Sequence, residues 1–210
     1  MRCGFDELTV TYGRHRAVTD ITLDVPAGAV TALVGGDGAG KTTLLRALAG
    51  RVPAAAGRVW RPALARVGVL TADPPGYGDL TVDENLRFVA RVRGIGPDRL
   101  RDRAGALLAA TGLAAARDRL AERLSGGMRR KLGFALASLH EPDVLLLDEP
   151  TTGVDPVSRT ELWRLMAGAA GAGTTVVIAT TYLDEAERCA QVLALDRGRT
   201  LAQGPPDEVA

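Results

Sequence analysis

Gly35-Gly36-Asp37-Gly38-Ala39-Gly40-Lys41-Thr42-Thr43 decides the fold of this 210-residue chain. Ala29 to Gly35 ahead of it is a short apolar run rich in Val and Leu, which predicts a buried strand, and Lys41 to Ala49 behind it has the Leu and Ala spacing of a helix. A G-x-x-x-x-G-K-[ST] pattern in that context is a phosphate-binding loop. Glycines are required because the loop wraps its backbone N–H groups around phosphates, which calls for positive φ and leaves no room for Cβ atoms. Lys41 is placed to meet the β and γ phosphates, Thr42 to ligate Mg²⁺, and the helix N-terminus adds partial positive charge. By chance the pattern turns up on the order of a few times in a thousand such chains, so a Gly-rich turn with no ligand is the minor alternative. Lysine is scarce here, occurring only at Lys41 and Lys131, which makes its position in this loop informative.

A second element supports the first. Asp143-Val144-Leu145-Leu146-Leu147-Asp148-Glu149-Pro150 is an apolar strand that ends in adjacent carboxylates and breaks at a proline. Alternation along a strand predicts that the two carboxylates point to different sides. Asp148 suits the Mg²⁺ shell and Glu149 the catalytic task of orienting or deprotonating an attacking water.

Composition sets the bounds. With 46% apolar residues, and 26 basic against 25 acidic groups for a net charge of +1, the chain reads as one globular domain with a real core. That balance supplies no field to recruit nucleic acid or an anionic membrane, and the Arg-rich stretch Arg99 to Arg103 reads as the solvated face of a helix. Apolar runs such as Val144 to Leu147 fall far short of the roughly 18 residues that span a bilayer. The acidic residue in Met-Arg-Cys-Gly-Phe-Asp argues against a secretory leader, so a cytosolic location is expected. Cys3 and Cys189 lack metal or redox spacing and are expected to be reduced structural thiols.

Leu124-Ser125-Gly126-Gly127-Met128-Arg129-Arg130-Lys131 opens a stretch with helical periodicity through Leu139, with Ser125 a good N-cap. At these residues the chain resembles the nucleotide-binding domain of ATP-binding cassette (ABC) ATPases, whose signature is LSGGQ or LSGGM. The resemblance covers almost the whole chain. It implies an α/β fold: a P-loop NTPase core with a mostly parallel sheet, a small antiparallel β subdomain, and an inserted helical subdomain at about residues 76–139 of a single 1–210 domain. It implies that ATP is held by Gly35, Gly36, Asp37, Gly38, Ala39, Gly40, Lys41, Thr42 and Thr43, with Tyr12 where the family stacks an aromatic on adenine. Mg²⁺ falls to Thr42 and Asp148. Ser125, Gly126 and Gly127 are the signature, and Asp155 of Gly153-Val154-Asp155 stands at the family's D-loop aspartate. In such domains the signature of one cassette closes over the P-loop of a second, so a partner cassette is implied, in tandem or as a hetero- or homodimer.

Two positions depart from the family. Aligning Arg66-Val67-Gly68-Val69-Leu70-Thr71-Ala72-Asp73 on its second strand puts Ala72 where a Gln organises Mg²⁺ and water. Thr181, in Val176-Val177-Ile178-Ala179-Thr180-Thr181-Tyr182, takes the place of a His that contacts the γ-phosphate. His15, in the turn after Tyr12, and His140, read as a solvated loop histidine, do not substitute. Losing one positioned polar group in such a site costs roughly 10² to 10³ in rate, so the chain's own site is expected to be slow or silent while its signature completes a partner's. Asp37, where the family more often has Asn, strengthens this expectation.

The features GDGAGKTT, LSGGM, DEPTTGVDP and a non-histidine before YLDEAE are similar to the first cassette of tandem ATPase subunits of ABC-2 type multidrug exporters. That resemblance implies an ABC-2 type transmembrane permease as partner, and a cytoplasmic location, peripheral on the inner face of the cell membrane. The alternatives sharing these motifs are a soluble ABC ATPase acting on ribosomes, a DNA-repair ATPase, and a regulatory pseudo-ATPase that only binds nucleotide.

Elsewhere, Phe5 to Val10 and Ile21 to Val25 alternate as half-exposed strands, and Thr81-Val82-Asp83-Glu84 is a capping box opening a helix toward Arg93. Helices run on to about Leu139 with breaks at Gly94 to Pro97 and Thr111-Gly112. Asp73 to Asp79 reads as the loop beneath which a permease helix docks. Val192 to Leu195 and Thr200 to Ala202 read as a hairpin. The end at Asp207-Glu208-Val209-Ala210 is early for a whole cassette, so truncation is expected.

Overall fold

The computed structural model describes residues 2–73 and 76–209. In chain order the elements are β1 (Gly4–Tyr12), β2 (His15–Asp24), β3 (Val30–Val34), α1 (Lys41–Leu48), β4 (Ala56–Trp60) and β5 (Val67–Leu70). There follow α2 (Val82–Val92), α3 (Pro97–Thr111), α4 (Gly126–Ser138), β6 (Val144–Asp148), α5 (Pro156–Gly171) and β7 (Thr175–Thr180). The last are α6 (Leu183–Ala186), β8 (Gln191–Asp196), β9 (Arg199–Gly204) and α7 (Pro206–Val209).

Six strands form one sheet in the order β5-β6-β7-β3-β8-β9, parallel except for the β8–β9 hairpin at its edge. Parallel strands are covered on both faces, and the sequence meets that demand residue by residue. Val144 and Leu146 of β6 join one core with Leu33 and with Leu44 and Leu48 of α1, while Leu145 and Leu147 join a second with Trp163 and Met166 of α5. The first core also receives Phe5, Leu8, Ile21 and Leu23 from a separate antiparallel sheet, β2-β1-β4. β4, with the sequence Ala-Gly-Arg-Val-Trp, completes that sheet and was not evident from periodicity because its residues are exposed or half-buried.

The helical part has its own core, built from Leu86, Leu108, Leu113, Leu132, Leu136 and Leu139. Thr81 caps α2 in a true capping box: its hydroxyl accepts from Glu84 N–H at 3.2 Å and the Glu84 carboxylate accepts from Thr81 N–H at 2.8 Å. Asn85, 1% exposed, fastens the preceding turn by donating to the carbonyls of Tyr77, Leu80 and Thr81 and accepting from Tyr77 N–H. The expected breaks fall between α2 and α3 and at Gly112, the left-handed C-cap of α3. Of the docking loop read at Asp73 to Asp79, Pro74 and Pro75 lie outside the described residues, as does Ala210 of the terminal stretch.

Arg99, Arg101 and Asp102 lie on an exposed face of α3 as expected, and Arg99 and Arg103 also pair with Glu141. One reading needs correction. His140 is not a solvated loop residue. It is 9% exposed beneath the helical part, with Nε2 3.2 Å from the Val67 carbonyl, because the turn after α4 folds back against β5. Burial, together with the charges of Arg93 and Arg66, lowers its pKa from 6.5 to about 4. Below pH 6.5 the unfolded chain then binds more protons than the folded one, so stability falls as pH drops toward 4. In urea melts, the wild type should lose about 2 kcal/mol more than His140→Gln between pH 7 and pH 5. Equal losses would show that this ring is not held neutral.

Both thiols are buried and unpaired, and burial is the main cause that pushes Cys3 up to about 11 and Cys189 to about 12. No helix among the described residues is long and apolar enough to cross a membrane.

Candidate nucleotide site

The parallel strands bring four chain segments to one end of the sheet, where open α/β sheets place ligands. β3 feeds the loop Gly35–Gly40, β6 ends at Asp148, β5 leads to Ala72, and β7 leads to Thr181. Tyr12, His15 and Ala17 arrive from the antiparallel sheet, and together with Gly36–Thr43, Ala72, Asp148 and Glu149 they line one cleft of about 330 Å³.

Within it the loop glycines do steric work. Gly40, the N-cap of α1, has φ 104°, and a Cβ there would come within 2.5 Å of Val18 Cγ1 and 3.1 Å of the Ala17 carbonyl. A Cβ on Gly35 would lie 2.8 Å from that of Ala39. A side chain at either place would force the loop open, so the close wrap of backbone amides depends on both. Lys41, 7% exposed, donates from Nζ to the carbonyls of Gly35 at 2.7 Å and Gly36 at 3.1 Å and stands 3.6 Å from Glu149 Oε1. Thr42 Oγ1 donates to Asp148 Oδ1 at 3.2 Å. Burial raises the Asp148 pKa; the Thr42 bond opposes it, the Glu149 charge adds to it and Lys41 opposes it. Among the described residues no three His, Cys, Asp or Glu side chains cluster, so a divalent ion at Thr42 and Asp148 would draw its other ligands from phosphate and water. A hydroxyl beside a carboxylate is the hard-oxygen pair that suits Mg²⁺.

The expected alternation of Asp148 and Glu149 fails. Glu149 has φ 47°, and its N–H donates to the Ala179 carbonyl at 2.9 Å, so the strand turns at this residue and both carboxylates face the same cleft. A left-handed non-glycine is strained by about 1 kcal/mol or more and persists only where surroundings fix it. Here Thr152 Oγ1 fixes it further by donating to Glu149 Oε2 at 2.7 Å. Arg130 of α4 closes this side, donating to the Thr71 carbonyl at 3.3 Å next to Ala72. Its guanidinium lies within electrostatic reach of Asp73, Glu149 and Asp148.

Ser125, Gly126, Gly127 and Asp155 form no part of the cleft. They meet one another elsewhere. Ser125 caps α4 by accepting from Met128 N–H at 3.2 Å, and Asp155 caps α5 by accepting from Val157 and Ser158 N–H at 3.1 and 3.0 Å. A Cβ on Gly127 would lie 2.6 Å from Ser158 Cβ and 3.3 Å from Asp155 Oδ2, so the second signature glycine is needed for the two helix starts to pack. Thr181 is exposed after β7 and does not line the cleft either.

Sequence reasoning missed Glu185. It is 0% exposed, accepts from Thr151 Oγ1, and accepts from Thr180 Oγ1 at 2.7 Å, Arg159 Nε at 3.1 Å and Trp163 Nε1 at 3.4 Å. One carboxylate thus fastens the segment after Glu149, α5, and the strand end that carries Thr181. The signal in sequence, an acidic run at Asp184-Glu185, looks like a solvated face and gives no sign of burial.

A phosphate-binding loop, a paired carboxylate end and a signature helix on this sheet define an ABC-type ATP-binding domain. The family model for the ABC transporter matches residues 18–152, and the chain belongs to that family. It is 44% identical over 200 residues to the probable multidrug ABC transporter ATP-binding protein YbhF of Escherichia coli, covering 90% of this chain and 35% of that protein. It is 41% identical over 213 residues to the daunorubicin/doxorubicin resistance ATP-binding protein DrrA of Streptomyces peucetius, covering 96% of this chain and 64% of that one. The chain therefore spans about a third to two thirds of the length of these relatives. Among solved structures, cbiO1 of Clostridium perfringens, part of the ABC transporter complex cbiONQ, superimposes with a TM-score of 0.89 at 29% identity, over 98% of this chain and 89% of that one.

Proposed function

We propose that this domain binds Mg·ATP and powers an ABC-2 type exporter of drug-like amphiphiles from the inner face of the cell membrane, working with a second cassette and a permease. The convergence of Lys41, Thr42, Asp148 and Glu149 on one cleft carries the nucleotide reading. Similarity to proteins named for multidrug and daunorubicin export supports the transport reading. Lys41 would exchange its loop carbonyls for phosphate oxygens, and Tyr12 would stack on the base. Mg²⁺, held by Thr42 and Asp148, would neutralise charge on the phosphates. Glu149, held by its strained backbone and by Thr152, would orient the attacking water and accept its proton.

Ser125, Gly126 and the α4 N-terminus do not line this cleft, and their amides suit the γ-phosphate in a partner's cleft. Asp155 would sit at that same junction. Ala72 offers no hydrogen bond in the cleft, and Thr181, in the family's His position, is short and exposed. The domain's own site is accordingly the weak one of the pair.

The test is Mg·ATP hydrolysis by the purified chain as its concentration rises. Little turnover alone, with turnover appearing on mixing with a competent cassette, is the expected result. Rates rising with the square of concentration would instead establish a working homodimer in which Ala72 and Thr181 are tolerated. In a mixed complex whose partner has its own catalytic carboxylate changed to the amide, so that only this chain's site turns over, Thr181→His should raise turnover about tenfold or more, read by phosphate release. An unchanged rate would remove Thr181 as the limiting group.

A further inference from the structure

At the opposite end of the sheet from the nucleotide cleft, just before β5 and β6 begin, lies a second cavity of about 350 Å³. Arg66, Arg93, Arg99, His140 and the turn Gly94–Gly96 line it. Nothing in the proposed ATP chemistry uses these residues.

Charge is unbalanced at this corner. Arg66, Arg93, Arg99 and Arg103 stand against two carboxylates, Glu141 and Asp143. Asp143 is bound by Arg66 at 3.0 Å, and Glu141 is shared by Arg99 and Arg103. Arg93 has no carboxylate partner among the described residues; its guanidinium makes one long bond, 3.3 Å, to the Val67 carbonyl. Arg93 is exposed, so its charge is open to solvent and to a bound anion.

Gly96 and Arg99 at the start of α3 line the same space. α3 starts here, with Gly96 as an N-cap that offers no side chain and Pro97 behind it. The amides of Asp98 and Arg99 in its first turn have no acceptor within the helix, and Asp98's own carboxylate is turned to Arg101. Independently, His140 is 91% removed from solvent, spends Nε2 on the Val67 carbonyl, and keeps Nδ1 buried with no partner. Buried orphan atoms of this kind are rare in native proteins and mark a missing ligand or water.

We propose that this cavity is a binding site for a phosphate group, inorganic phosphate or a phosphomonoester, held by Arg93, Arg66, Arg99 and the N-terminus of α3, with His140 Nδ1 completing it. Guanidiniums and helix-start amides recognise tetrahedral oxyanions bidentately, and a phosphate ester fits the volume. His140 Nδ1 accepts a hydrogen bond from a protonated phosphate oxygen, or as imidazolium donates to an unprotonated one. Either way one proton lies between ring and phosphate, so a phosphomonoester, whose second pKa is about 6, takes up a proton on binding at pH 7 and binds more tightly on acidification. The charged groups facing that proton are Arg66, Arg93, Arg99 and Arg103 on one side and Glu141 and Asp143 on the other.

The chain has two histidines, one in each cleft, so imidazole NMR reads the sites separately. The whole chain carrying Lys41→Ala, to weaken the first cleft, is titrated with inorganic phosphate against sodium chloride of equal ionic strength. His140 should shift saturably with phosphate alone, and the midpoint of its own titration should rise by about one pH unit or more. Arg93→Gln and the exposed Arg99→Gln should each weaken the effect about tenfold, and the latter guards against misfolding at the former. Vesicles of phosphatidylcholine with phosphatidic acid, compared with phosphatidylcholine alone, give the source. A shift at lower phosphate-group concentration than inorganic phosphate needs assigns a lipid headgroup, and a shift with inorganic phosphate only assigns a soluble phosphate. A His140 signal that ignores both, that follows chloride equally, or that survives both arginine changes overturns the site.

Discussion

Lys41→Ala should lower ATP affinity by about a hundredfold or more in an equilibrium titration with a fluorescent nucleotide. The ammonium is buried, so its contacts to phosphate are made at low dielectric, and two charge-assisted hydrogen bonds at about 1.5 kcal/mol each already account for that factor. The same change strips the Gly35 and Gly36 carbonyls of their donor. A small loss of stability is therefore expected alongside, read as a lower urea midpoint. Undiminished affinity would remove the loop from the nucleotide site.

Glu149→Gln should separate binding from turnover. The amide keeps the shape of the carboxylate and can still accept from Thr152 Oγ1, so the left-handed turn and the cleft should survive and ATP should bind as before. What is lost is the proton acceptor, a loss of roughly 10² to 10⁴ in rate. In a complex with a competent partner the residual rate should be that of the partner's site alone. Should Glu149→Gln leave this site's own turnover unchanged in a complex whose partner site is silenced, the base lies elsewhere.

The sequence exposes the parts of this protein whose chemistry is local. A phosphate-binding loop needs particular glycines and a lysine within a few residues. A helix start needs Thr81 and Glu84 three apart, and a hairpin needs Asp196-Arg197-Gly198 between apolar runs, so all three are legible without a fold. What stays hidden depends on partners distant in sequence. β4 is a strand only because β1 offers it an edge. Glu149 leaves the expected alternation because the Ala179 carbonyl holds its amide, 30 residues on. Glu185 and His140 look like surface polar residues until α5 and β5 bury them. The juxtaposition of Gly127 with Ser158 and Asp155 likewise follows from how α4 and α5 pack, which no short motif encodes.

Strand order has a consequence for synthesis on the ribosome. β1 and β2 are joined by a tight turn and can zip up as soon as both have emerged. β3 emerges soon after them, but its two neighbours in the sheet are β7 and β8, so Val30 waits for Val176 and Thr31 for Gln191. Through most of translation the strand that launches the phosphate loop is therefore an unpaired apolar ribbon, and loop closure over so long a separation makes its docking slow. A nascent chain halted before residue 176 should present Val30 to Val34 to chaperones and to other unfinished copies, and acquire a working loop only when the last strands arrive.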